Sequence, residues 1–130
     1  MQQHNMKNNL YKTIAIISTD DFIALIDTLI KTEGNTKYSK ILKGRKLHWY
    51  NLILNNNLIC PATNDYVAYC GYDIHTNNNT YHFNFYDKNG ELFTIDHKMP
   101  LSLGGKDHIH NVQPMIGENN WEKGSKLIFL

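Results

Sequence analysis

Hydrophobic positions along the chain change their spacing twice, and each change marks a change of element. After the polar run Ser18-Thr19-Asp20-Asp21, the residues Phe22, Leu25, Ile26, Leu29 and Ile30 recur at steps of three and four. That spacing places them on one face of a helix, with Ser18 or Thr19 as cap, the two aspartates at the positive end and Gly34 as stop. From Leu47 to Ile59 the apolar residues Leu52, Ile53, Leu54, Leu58 and Ile59 satisfy neither the helical nor the strand period, so the segment reads as either, interrupted at Asn55-Asn56-Asn57. The character then turns to β. Tyr66–Cys70 and Tyr81–Tyr86 are aromatic and β-branched, with a turn at Asn77–Asn79 between them. Asp87-Lys88-Asn89-Gly90 predicts a tight two-residue hairpin turn, because Asn-Gly accepts positive φ. The strand Glu91–Ile95 follows and delivers Asp96 and His97 at its end. A loop through Pro100 and Gly104-Gly105, a short apolar piece at Val112–Met115 and a helix start at Glu118–Lys123 complete a strand, long loop, strand, helix order, a ββα unit.

A chain of 130 residues suits one domain, residues 1–130, with a helical part over 1–60 and the β-hairpin plus ββα unit over 61–130. The expected class is α+β. A hydrophobic fraction of 42% with 19% charged residues and three prolines fits a folded chain. Met1–Asn9 is polar and Ile14–Ile17 is too short to span a bilayer, so neither leader nor membrane partner is expected, and the location is read as cytoplasmic. Cys60 and Cys70 are too few for a disulfide framework and match no paired zinc knuckle; both read as buried free thiols.

Net charge is +1, so any nucleic-acid contact must come from local clustering. Lys37, Lys40, Lys43, Arg45 and Lys46 form such a cluster without an acidic residue, flanked by Tyr38, Trp49 and Tyr50. This composition suits either a backbone-tracking groove or a solvated lysine-rich face. Arg45 is the single arginine, which leaves little capacity for bidentate guanine readout.

Asp96, His97, Asn111 and Asn120 fall within about thirty residues. Phosphodiester hydrolysis needs an activated water and stabilised charge on the leaving oxygen, which a divalent cation and a neutral histidine supply. Asp96 and the Asn120 carbonyl are hard oxygen donors that favour Mg²⁺ or Mn²⁺ over zinc, with His97 as the base. Asn111 either fixes the His97 ring or ties the loop back on itself. Consecutive strand residues point to opposite faces, so bringing Asp96 and His97 together requires a bend or bulge there.

The pattern Ile95-Asp96-His97-x-x-Pro100-Leu101-Ser102-x-Gly104-Gly105, Asn111-x-Gln113-Pro114-Met115 and Asn120-x-x-Lys123-Gly124 resembles the HNH nucleases over about Leu92–Lys126. The resemblance implies a C-terminal ββα-metal motif, a single divalent ion, and hydrolysis of DNA phosphodiesters, with double-stranded DNA as partner. It makes Asp96 and Asn120 metal ligands, His97 the general base and Asn111 the residue that orients it. Lys98, Lys106 and Lys123, with Lys43, Arg45 and Lys46, become the nucleic-acid contacts. Ile116 and Asn119 stand where many small relatives carry cysteines, so no structural zinc is expected. One site cuts one strand, so a homodimer would serve double-strand cleavage. A non-catalytic DNA-binding protein and an RNA-directed nuclease are the alternatives.

Overall fold

The computed structural model describes residues 11–33, 42–75 and 80–124. The chain runs β1 (Tyr11–Ile17), α1 (Thr19–Glu33), α2 (Arg45–Leu54), β2 (Tyr69–His75), β3 (Thr80–Tyr86), β4 (Leu92–His97), β5 (Val112–Ile116) and α3 (Gly117–Lys123). The five strands form one antiparallel sheet in the order β1-β2-β3-β4-β5. A mixed α+β class is therefore observed. The part expected to be helical begins with a strand instead: β1 pairs with β2 from Tyr11↔His75 to Ile17↔Cys70. No helix among the described residues is long and apolar enough to cross a membrane.

Helix α1 forms where its apolar spacing predicts. Ser18 Oγ accepts the Asp21 amide at 3.0 Å, which closes the first turn. Its buried face carries Phe22 and Ile26. Phe22 meets Phe83 and Phe85 edge-on at 4.9 and 5.0 Å, which fastens the helix to β3.

The ambiguous segment resolves as helix α2, buried through His48, Trp49, Leu52 and Ile53. Trp49 stacks on Phe85 at 4.5 Å and meets Phe93 edge-on, so tertiary contact overrides a weak local period. The asparagine run ends the helix by a specific device. Asn56 takes φ 54°, the Asn57 amide donates to Leu52 O, and the Asn56 amide donates to Ile53 O. This pair of bonds is a Schellman cap, with asparagine in the left-handed position usually held by glycine.

The expected strand Tyr66–Cys70 starts only at Tyr69; Tyr66 makes one isolated bridge to Ile59. Asn77–Asn79 and Gly34 lie outside the described residues. The β3–β4 hairpin forms, but with a longer turn than the two-residue one. Gly90 alone in the turn has positive φ, at 86°, and its amide donates to Asp87 O, while the Asp87 amide donates to Glu91 O. That is a three-residue turn with a glycine bulge. Buried Asp87 holds it, because its Oδ1 accepts the amides of Asn89 and Glu91, each at 2.8 Å.

Beyond this turn β3 and β4 pair only at Phe85↔Phe93 and Tyr86↔Leu92. The rest of β4 follows β5 from Phe93↔Ile116 to His97↔Val112. The two halves of the sheet thus part after the hairpin, and α2 fills the divide through Trp49 and His48.

Candidate functional site

Strand β4 decides which side chains share a site. Its pairing with β5 is regular through Asp96↔Gln113 and His97↔Val112, so the expected bulge is not there. Alternation is preserved, as the contacts show. Phe93 and His97 meet Trp49 and His48 of α2, whereas Thr94 and Asp96 meet Asn120 and Lys123 of α3. Asp96 and His97 therefore open onto opposite faces.

On the α3 face, Asp96 is 3% exposed and Lys123 0%. Asp96 Oδ1 lies 3.2 Å from Lys123 Nζ, and its Oδ2 accepts from Gln113 Nε2 at 2.9 Å. Lys123 Nζ also donates to His97 O at 3.2 Å. The ammonium expected beside a phosphate is thus enclosed as the counter-charge of Asp96, because neither ion tolerates burial alone. Asn120 Nδ2 donates to Thr94 Oγ1 at 2.8 Å and Ile95 O at 3.2 Å, which turns its carbonyl oxygen to the remaining side. A groove of about 290 Å³ lies here, lined among others by Asp96, His97, Pro100, Ser102 and Asn120. Trp121 of α3 is exposed.

On the α2 face, His97 Nε2 donates to Asp107 Oδ1 at 2.8 Å and His48 Nε2 donates to the same oxygen at 2.7 Å. The two imidazoles stand edge-on, 6.5 Å between centroids. Hydrogen bonds from His97 and then His48 hold the Asp107 carboxyl below its ordinary pKa. Among the described residues, these three form the group whose donor atoms could hold a metal ion, all within 4.8 Å of one another. Two imidazoles and one carboxylate suit Mn²⁺, Fe²⁺ or Zn²⁺ better than Mg²⁺, which prefers oxygen. A cavity of about 500 Å³ gives access, lined among others by Arg45, His48, Asn84, Thr94, His97 and Asp107. It occupies the divide where β3 leaves β4.

Asn111 takes the loop-closing role. Its Oδ1 accepts the Met99 amide at 2.9 Å, and its Nδ2 donates to Met99 O at 3.0 Å and Lys106 O at 2.8 Å. Its own carbonyl accepts the Lys98 amide. Gly105 completes the closure, since a Cβ there would lie 1.8 Å from Met99 O. The loop tied in this way carries Asp107 to His97, so Asp107, rather than Asn111, meets the His97 ring.

Sequence reasoning passed over His48 and Asp107. His48 precedes Leu52 by four residues, one turn of helix, so reading 45–54 as helical would have put it on the buried face. Of the expected nucleic-acid contacts, Lys43, Arg45 and Lys106 are exposed, Lys98 and Lys46 half-buried and Lys123 enclosed. Burial, then the neighbouring Lys43, lowers the Lys46 pKa. Lys37 and Lys40 lie outside the described residues. Cys60 and Cys70 are buried free thiols, as expected. Comparison with models of known families, with curated proteins and with solved structures finds no match for this chain.

Proposed function

We propose that this protein is a metal-dependent endonuclease that hydrolyses DNA phosphodiester bonds, with its divalent ion held by His48, His97 and Asp107. The convergence of both Nε2 atoms on Asp107 Oδ1, beside a cavity that Arg45 also lines, is the observation that carries this reading. His97 is the residue on which the HNH-like motif and this donor group coincide. When bound, such an ion would neutralise a phosphate and lower the pKa of a water to make a nucleophile near neutral pH. Arg45 would pair with the incoming phosphate, and Asn111 with Gly105 would hold Asp107 in reach of both imidazoles.

A second reading has its own support. The groove on the α3 face is lined among others by Asp96, His97 and Asn120, and the HNH-like motif would put Mg²⁺ or Mn²⁺ there on oxygen ligands with His97 as base, once its ring turns from Asp107 toward this face. Lys123 would have to withdraw from Asp96 for an ion to bind there.

Supercoiled plasmid incubated with Mg²⁺, Mn²⁺ or Zn²⁺ tests both, with calorimetric metal titration alongside. Cleavage is expected with Mn²⁺ or Zn²⁺, lost in His97→Ala, and metal affinity is expected to fall about 10- to 100-fold in His48→Ala and Asp107→Asn. Loss of metal affinity in Asn120→Ala with none in Asp107→Asn would transfer the ion to the α3 face. Plasmid intact under every metal would leave a DNA-binding protein, and preferential cutting of an RNA of the same sequence would change the substrate.

A further inference from the structure

The start of α2 carries a second pocket that the hydrolytic site does not use. About 250 Å³ in volume, it is lined by Lys43, Arg45, Lys46, Trp49, Tyr81, His82 and Phe83. Three of these are cations and none is an acid. Helix α2 adds to the positive field: its first turn has no acidic residue, no side chain caps it, and Arg45 and Lys46 stand at its already positive end. Such an arrangement is self-repelling without an anion; burial first, and then the neighbouring Lys43, lowers the pKa of half-buried Lys46.

A neutral donor points to the same ligand. Trp49 is 1% exposed, and its buried Nε1–H has no acceptor among the described residues. A buried indole N–H usually finds a partner, and an unmade bond of this kind is costly. On the helix, Arg45 and Lys46 lie four and three residues before Trp49, so all three share a face. Arg45 lines both this pocket and the His48–His97–Asp107 cavity.

We infer that this pocket is a binding subsite for a backbone phosphate of DNA, gripped by Lys43, Arg45, Lys46 and the Trp49 N–H, beside the hydrolytic centre. The assignment to DNA rests on the nuclease reading; the affinity for phosphate does not. Arg45, common to both cavities, would set the spacing between the held phosphate and the cut one.

Duplex DNA binding measured in EDTA against salt concentration tests the subsite without turnover. Lys46→Gln should reduce the slope of log affinity on log salt by about one, as expected for one lost phosphate contact. Trp49→Phe, whose fold is checked by circular dichroism and urea titration, should weaken binding about tenfold with the slope unchanged, because the donor it lacks is neutral. Inorganic phosphate should raise the thermal midpoint of the unmodified protein and not that of Lys46→Gln. Unaltered slope and affinity in both variants would overturn the subsite, even in a protein that cuts plasmid. A phosphate response without any change in DNA binding would overturn its assignment to DNA. Phosphate response and slope change in a protein that cuts nothing would keep the subsite and sink the nuclease reading alone.

Discussion

Removing the charge of Asp96 by Asp96→Asn leaves the Lys123 ammonium fully enclosed with only the His97 carbonyl and a neutral amide for company. Breaking a buried ion pair from one side costs about 3–5 kcal/mol, because the surviving charge loses its partner without regaining water. At an unfolding entropy of about 2 cal/mol/K per residue, a loss of that size in a domain this long lowers the melting temperature by about 10–20 °C. Lys123→Met should cost a similar amount by exposing Asp96 to the same isolation. The double variant carries no unpaired charge, so its loss should fall short of the summed single losses by about 2 kcal/mol or more. Urea titration in EDTA, followed by tryptophan fluorescence and circular dichroism with equal denaturant slopes, measures all three differences. Additive single losses, each below about 1 kcal/mol, would refute the ion pair as a structural element. Intact stability in EDTA together with loss of stabilisation by added metal would show that Asp96 serves a cation instead.

The loop at Gly105 gives an independent handle. Gly105→Ala would drive a Cβ against the Met99 and Pro100 carbonyls at 1.8–2.9 Å, and backbone cannot rotate away. A stability loss of about 1–3 kcal/mol is expected, with a larger proportional loss of metal affinity as Asp107 is displaced; unchanged metal affinity would detach the loop from the site. The Asp107 carboxyl, lowered by His97 and His48, should titrate below 3.8 by carbon NMR and move up toward that value in His97→Ala. Because its folded pKa is depressed, its grip on the imidazoles is present above the ordinary value and lost only as pH falls through the lower one. A midpoint at or above 3.8 in the unmodified protein would contradict the contact. Burial pushes the Cys70 thiol up to about 12 and Cys60 is equally enclosed, so iodoacetamide at pH 8 should label neither until urea is added. Labelling of Cys70 in the folded protein would mean that the sheet opens at β2.

The features legible in the sequence were those encoded by neighbours. Helix α1 follows from five apolar positions and a serine cap, and the β3–β4 hairpin from Asp87 and Gly90, whose side chain and φ build the turn directly. Strand β1 and helix α2 are different. Ile16 is exposed in β1, an edge strand that shows no clean alternation, and α2 owes its burial to Phe85 and Phe93, more than thirty residues away. The candidate site divides along the same line. A motif of consecutive residues could name Asp96, His97 and Asn120 but could not say that a regular strand sends the first two to opposite faces. Asp107 is an ordinary loop residue until Asn111 and Gly105 fold it back, and His48 lies 59 residues before Asp107, its partner. Alternation along β4 is the physical fact that links these failures. It couples Asp96 to Lys123 in the core and leaves His97 to meet whatever the parted sheet admits. The chain supplies two imidazoles, a carboxylate and an arginine at that opening. A chemistry centred on His97 therefore depends as much on how β4 parts from β3 as on the motif that ends it.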